Sequence, residues 1–290
     1  MSNWPVGVFT SVDAGLGVKL EVAHELKVPT IQIHAPHQRT RTAEAAHRFL
    51  ARLKEYDIRL TCVFGGFEGE SYADIPTTQR TVGLVPPETR AARTQEMKEI
   101  ADFAKLLGCP VVALHIGFIP HEGGGDLYGE VLTVTREICD HCAKNGQNLH
   151  LETGQETAEG LLKFIGDVRR ANLFVNFDPA NMILYGTGEP IAALKQIGSL
   201  VRSVHCKDGK WAQNPGQEWG QEVPLGEGDV GMENYLRTLA EIGYTGPLTI
   251  EREIPSEPER QKAEIGRAVT LLEELKTKLA VKPEGKLASV

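Results

Sequence analysis

Four short runs decide how this chain reads: QNLHLE (147–152), LFVNFD (173–178), VRSVH (201–205) and PLTIE (247–251). Each is a strand-like stretch that ends on a residue able to carry charge: Glu152, Asp178, His205 and Glu251. These end residues lie 26, 27 and 46 positions apart, too far for a local motif. They can converge only if the four strands lie side by side in one parallel sheet. Closing that sheet into an α/β barrel gathers the strand ends at the C-terminal rim, where such barrels place their chemistry.

The rest of the chain supports this. VGVFT (6–10), TIQIHA (30–35), RLTCVFG (59–65) and VVALHIG (111–117) are further strand candidates. Helical patterns cover 18–27, 42–56, 88–107, 126–144, 157–170, 189–197, 232–242 and 257–279. Eight strands alternating with eight helices predict an α/β fold, a single-domain (β/α)8 TIM barrel over residues 1–281, near the usual size of about 250 residues. Gly108, Gly146 and Gly243 stand where helix C-caps want glycine, while Pro87-Glu88 and Ser256-Glu257 read as helix starts. A doubly wound open sheet ranks lower: Gly15-Leu16-Gly17 lacks the third glycine of a dinucleotide loop and reads as a turn. The tail KPEGKLASV (282–290) reads as disordered.

Strand parity gives a stronger test, because side chains alternate between the two faces of a strand. The face that carries the four end residues also carries Gln32, His34, His115, His150, Asn176, Ser203, Lys207 and Thr249. The opposite face carries Ile31, Ile33, Leu114, Leu149, Leu151, Phe177, Val204 and Ile250, which helices would cover. A barrel lumen is ordinarily packed with branched apolar side chains. Here its upper layers are polar, and burying such groups is costly unless they are paired or bind a cation.

Composition excludes several functions. The formal net charge of −8 argues against nucleic-acid binding, which depends on neutralising phosphates. No signal peptide and no membrane span is visible, so a cytoplasmic protein without a membrane partner is expected. Five scattered cysteines suggest reduced thiols, and Cys139-Asp140-His141-Cys142 lies in a helical run without a second pair to complete a zinc site.

Three carboxylates and one imidazole form a hard, oxygen-rich ligand set. It suits one divalent ion, Mn²⁺ or Mg²⁺ first, with Co²⁺, Fe²⁺ or Zn²⁺ as alternatives. Four protein ligands in an octahedral shell leave about two positions for substrate oxygens, which fits an α-hydroxy-carbonyl. The ion would polarise the carbonyl and hold the developing ene-diolate. Glu152 and Glu251 approach from different sides, so one can take a carbon-bound proton and the other return it. Return on the opposite face is epimerisation; return to the neighbouring carbon is isomerisation. The residues also allow both glutamates to serve only as ligands, with His115, Lys207 or Glu156 as the base.

The motifs LETGQET (151–157), NFDPANMILYGTGEP (176–190), VHCKDGK (204–210), PLGEGDVGMENYLRTLAEIGYTGPLTIE (224–251) and HIG (115–117) resemble the xylose isomerase-like TIM-barrel superfamily, in its sugar phosphate isomerase/epimerase branch. The resemblance implies that Glu152, Asp178, His205 and Glu251 are metal ligands and that Glu152 and Glu251 are the acid/base pair. It further implies a small-molecule sugar or keto-polyol substrate and a homo-oligomer. Ketose 3-epimerases of this group carry a histidine three residues after the strand-six aspartate. Here that position is Asn181, which can hold a hydroxyl but not act as an acid. The same ligands and glutamates would also serve an inosose-type dehydratase. A non-catalytic sugar-binding barrel is less consistent with the complete ligand set. An endonuclease IV-like nuclease is disfavoured because Asn181 and the VFGG end of strand three lack that enzyme's additional histidines.

Further substrate contacts are expected from His115, His34, Lys207, Glu156 and Asn181. The segments 64–87 and 210–229, the latter with Trp211 and Trp219, are candidate lids. Glycines near 226–231 would suit a phosphate.

Overall fold

The computed structural model describes residues 4–13, 17–120, 125–255 and 257–280. Gly15, Leu16, Ser256 and the tail 282–290, together with the proposed domain end at 281, lie outside the described residues. Eight strands close into a parallel barrel: β1 (Val6–Thr10), β2 (Thr30–His34), β3 (Arg59–Gly65), β4 (Val111–Leu114), β5 (Asn148–Glu152), β6 (Leu173–Phe177), β7 (Val201–Cys206) and the last, β10 (Leu248–Ile250). Between the last two, β8 (Asp208–Lys210) and β9 (Gln221–Val223) form a separate antiparallel hairpin. Around the barrel run α1 (Leu20–Glu25), α2 (Ala43–Glu55), α3 (Ile75–Thr81), α4 (Pro87–Leu106), α5 (Gly125–Lys144), α6 (Ala158–Val168), α7 (Pro179–Tyr185), α8 (Pro190–Ile197), α9 (Met232–Glu241) and α10 (Pro258–Ala280).

The helices begin and end where local chemistry dictates. Thr42, Asp74 and Thr157 cap α2, α3 and α6 through their side-chain oxygens. Gly108, Gly146 and Gly243 adopt the left-handed conformation just past α4, α5 and α9, with φ of 66°, 73° and 73°. The helix count is higher than the sequence reading expected. α3 lies inside the 64–87 segment read as a lid, and α7 follows Asp178 directly. All seven residues of α7 are buried, so it has no polar face to give a helical alternation. The 210–229 segment likewise contains β9, one arm of the hairpin.

Barrel closure divides each strand as parity requires. Ile31, Ile33, Leu114, Leu149, Leu151, Phe177, Val204 and Ile250 are buried against the helices. The lumen is polar: His150 Nδ1 is 2.7 Å from Ser203 Oγ, and Gln32 reaches across to Asn176 and Thr249. The register pairs Glu152 with Asn176, Asn176 with Ser203 and His205 with Thr249. Glu152, Asp178, His205 and Glu251 therefore emerge at one level of the rim. All five cysteines are free and buried, Cys139 and Cys142 on the inner face of α5.

Candidate metal centre

Glu152 ends β5, Asp178 follows β6, His205 lies one residue before the end of β7 and Glu251 follows β10. His205 Nδ1 sits 2.6 Å from Glu152 Oε1, 2.9 Å from Glu251 Oε2 and 3.3 Å from Asp178 Oδ2. One ligand atom from each of the four lies within 4.8 Å of the others. Those three carboxylate oxygens are buried and satisfy no hydrogen-bond geometry. Three buried acceptors converging on one ring nitrogen are unfavourable unless a cation joins them. The donor set therefore fits a divalent ion.

The surrounding residues hold these four side chains in place. Asp178 Oδ1 accepts the Asn181 amide at 2.9 Å as the N-cap of α7, which leaves Oδ2 for the cluster. His205 Nε2 donates to Gln32 Oε1 at 2.9 Å, directing Nδ1 at the carboxylates. In the metal-free protein, burial disfavours the imidazolium, but Glu251 and Glu152 outweigh it and raise the His205 pKa well above normal. A proton on Nδ1 then takes the place of an ion. Burial pushes Asp178 up to about 6 against the pull of His205 and Lys207. Burial also opposes ionisation of Glu152 and Glu251, but His115 and His205 for the first, and Lys207 and His205 for the second, keep both below the usual range. Gln32→Leu should preserve the barrel and weaken divalent-ion affinity by about 10- to 100-fold, as loss of an orienting partner does. A titration calorimetry result equal to wild type would show that Gln32 does not orient the ring.

The centre opens into a cavity of about 870 Å³. His115 Nε2 pairs with Glu152 Oε2, and Gln155 Nε2 links His115 Nδ1 (3.2 Å) to Tyr185 Oη (3.1 Å). Lys207, 4% exposed, stands 3.5 Å from Glu253, 3.6 Å from Glu251 and 3.7 Å from Glu222. His34, whose Nδ1 donates to the Ala35 carbonyl at 3.0 Å, and Asn181 also line the cavity. Trp219 packs on Tyr185 at 4.5 Å and joins the wall, whereas Trp211 packs against the core. Phe67, Glu70 and Tyr72 bring the 64–87 segment to the same opening.

Glu156 stands apart from the cavity wall. Its Oε1 accepts the Ile119 amide at 2.6 Å, and burial pushes its carboxyl up to about 8. The glycine loop suggested for phosphate is already filled: Asp208 Oδ2 accepts the amides of Gly226 (2.9 Å) and Gly228 (3.1 Å), and Oδ1 that of Val230 (3.2 Å). The sequence reading missed Gln155, Tyr185, Glu222 and Glu253. Parity could have found Glu253, two residues beyond Glu251. Glu222 belongs to the hairpin, whose three-residue strands carry no alternation to read.

The family model described as xylose isomerase-like TIM barrel matches residues 20–275. The chain belongs to that family. This xylose isomerase-like barrel is similar to the crystal structure of a xylose isomerase domain protein from Planctomyces limnophilus. The two are 62% identical, with a TM-score of 0.93 over 96% of this chain and 99% of that one. An uncharacterized protein of Methanocaldococcus jannaschii is 26% identical over 197 residues, 64% of this chain and 65% of its own length. An L-ribulose 3-epimerase of a Methylomonas species is 22% identical over 210 residues, 69% of this chain and 66% of its own. The matches thus span just under two thirds of those two relatives. Among the described residues, no helix of the barrel is long and apolar enough to cross a membrane.

A divalent ion that binds only the folded barrel stabilises it by mass action, by about 2.7 kcal/mol at a hundred times its Kd. For a chain of this size that is about 5 °C or more in Tm. Thermal scans with Mg²⁺, Mn²⁺ and EDTA should show this rise, and Asp178→Asn should abolish it. No difference between the chelated and loaded protein would argue against the cluster as an ion site.

Proposed function

We propose that this barrel is a divalent-metal-dependent isomerase or epimerase of a keto-sugar or keto-polyol. The observation that carries the reading is the convergence on His205 Nδ1 of three buried carboxylate oxygens, none in hydrogen-bond geometry, beside a large cavity that Glu152 and Glu251 line. A divalent ion held by Glu152, Asp178, His205 and Glu251, Mn²⁺ or Mg²⁺ by the hardness of the set, would supply Lewis-acid polarisation of a substrate carbonyl.

The remaining chemistry belongs to the protein. Glu152 and Glu251 come from β5 and β10, which β6 and β7 separate in the barrel, so their carboxylates reach the site from different sides. The partly exposed His115 and the buried Lys207 keep them ionised and able to accept a proton. One takes the proton beside the carbonyl and the other returns it. His115 holds Glu152 Oε2 in place while Gln155 and Tyr185 hold His115. Asn181, His34 and Lys207 border the cavity where substrate hydroxyls would lie. Trp219, Tyr185 and Tyr72 give its wall an aromatic surface.

Proton NMR of a ketose and ketose-phosphate panel in D₂O, with Mg²⁺-loaded and chelated protein, tests this. Metal-dependent deuterium uptake at the carbon beside the carbonyl, with conserved mass, is the expected result. Release of water would instead indicate a dehydratase using the same glutamates. Tight sugar binding without exchange in any metal form would indicate a binding barrel.

A further inference from the structure

The charge around the cavity bears on the far end of the substrate. Glu152 and Glu251 lie on its floor, Glu222 and Glu253 beside Lys207, and Glu96 beside Arg41. Glu68 and Glu70 line it from the loop after β3. Against these glutamates stand Arg39, Arg41 and Lys207.

Two of the three cations are already engaged. Lys207 is enclosed by Glu222, Glu251 and Glu253. Arg41, with a side chain 6% exposed, gives Nη2 to Glu96 at 2.8 Å and Nε to the Pro36 carbonyl at 2.7 Å, while its buried Nη1 has no hydrogen-bond partner. Arg39 is exposed at the outer rim. A bound divalent ion would offset two negative charges and, even with His115 protonated, leave the cavity net negative.

Two backbone sites that could receive an anion are already taken. The Gly226, Gly228 and Val230 amides already serve Asp208, those of Glu227 and Asp229 serve backbone carbonyls, and a side chain at Gly228 would collide with the Asp208 carboxylate. The N-terminus of α7, which meets the cavity at Asn181, is capped by Asp178.

From this balance we infer that the substrate is uncharged: a free keto-sugar or keto-polyol, not its phosphate ester and not a sugar acid. The inference rests on the isomerase reading above and narrows it. Hydroxyl groups match this wall, because Glu222 and Glu253 can accept from them while Asn181 and Lys207 can donate. An anionic terminus would face more carboxylates than cations, and like charges brought together in an interface oppose association strongly.

The test pairs each ketose with its own terminal phosphate ester on Mg²⁺-loaded protein, read by deuterium uptake and by titration calorimetry. The free sugar should exchange and bind at least about 100-fold better than its ester. Preference for an ester in either measurement overturns the inference and leaves the isomerase reading standing. Tighter binding of the free sugar, with no exchange from either partner, retains the inference and removes the isomerase reading. Binding of neither up to millimolar concentration overturns the inference. Glu68→Lys, a charge reversal at the exposed rim, should narrow the sugar-to-ester gap by about fivefold; an unchanged ratio would remove its electrostatic basis.

Discussion

Glu251→Gln should give a folded barrel whose turnover is lower by about 10³- to 10⁴-fold, the upper range for loss of a positioned acid/base group. The substitution keeps shape and volume, so the side chain can still occupy its place above Thr249 and beside Lys207. It removes the basicity of the carboxylate and leaves Lys207 with only Glu222 and Glu253 as partners. Glu152, Asp178 and His205 remain to hold an ion more weakly. Glu152→Gln should be the complement: each variant should keep deuterium exchange only at the epimer whose proton its surviving glutamate reaches. Exchange into each epimer, measured by NMR alongside metal content, separates loss of proton transfer from loss of metal. Wild-type turnover with intact metal binding in Glu251→Gln would end the two-glutamate mechanism.

Asp208→Ala should destabilise the barrel by about 3–5 kcal/mol, because several hydrogen bonds to one charged acceptor disappear together. Asp208 is buried and accepts the amides of Gly226, Gly228 and Val230. Without it those donors have no acceptor in a loop whose Asp229 amide is pinned to the Gly209 carbonyl at 2.8 Å. The loss should appear as a lower urea midpoint with an unchanged slope. Asp208→Asn, which keeps one acceptor oxygen but turns the other into an NH₂ donor facing amides, should recover only part of it. Because Asp208 adjoins Lys207 and begins the hairpin that carries Glu222, the same change should also raise KM for whichever sugar is turned over. A stability loss below about 1 kcal/mol would mean that water replaces the carboxylate at those amides.

Most of the barrel was legible because strand alternation is a local property. A run such as LFVNF places Asn176 and Phe177 on opposite faces whatever the rest of the chain does, and barrel closure then makes one face the lumen. That reasoning located Gln32, His150, Ser203 and Thr249 as well as the four rim residues. It failed where no alternation exists: α7 is buried on every side, and the hairpin pairs Asp208 with Val223 across a long polar loop.

By itself, then, the sequence determined the strands, their inward faces and the residue types that close the rim, since each follows from side-chain direction within a few residues. Only the tertiary structure decided which atoms meet. His205 Nδ1 faces three carboxylates because Gln32, 173 residues away, takes its other nitrogen. Lys207 is surrounded by acids from the hairpin and the end of β10, and Asp208 fills the glycine loop that read as a phosphate site. Such pairings depend on distances across a closed barrel, which register and loop packing set and no local periodicity encodes.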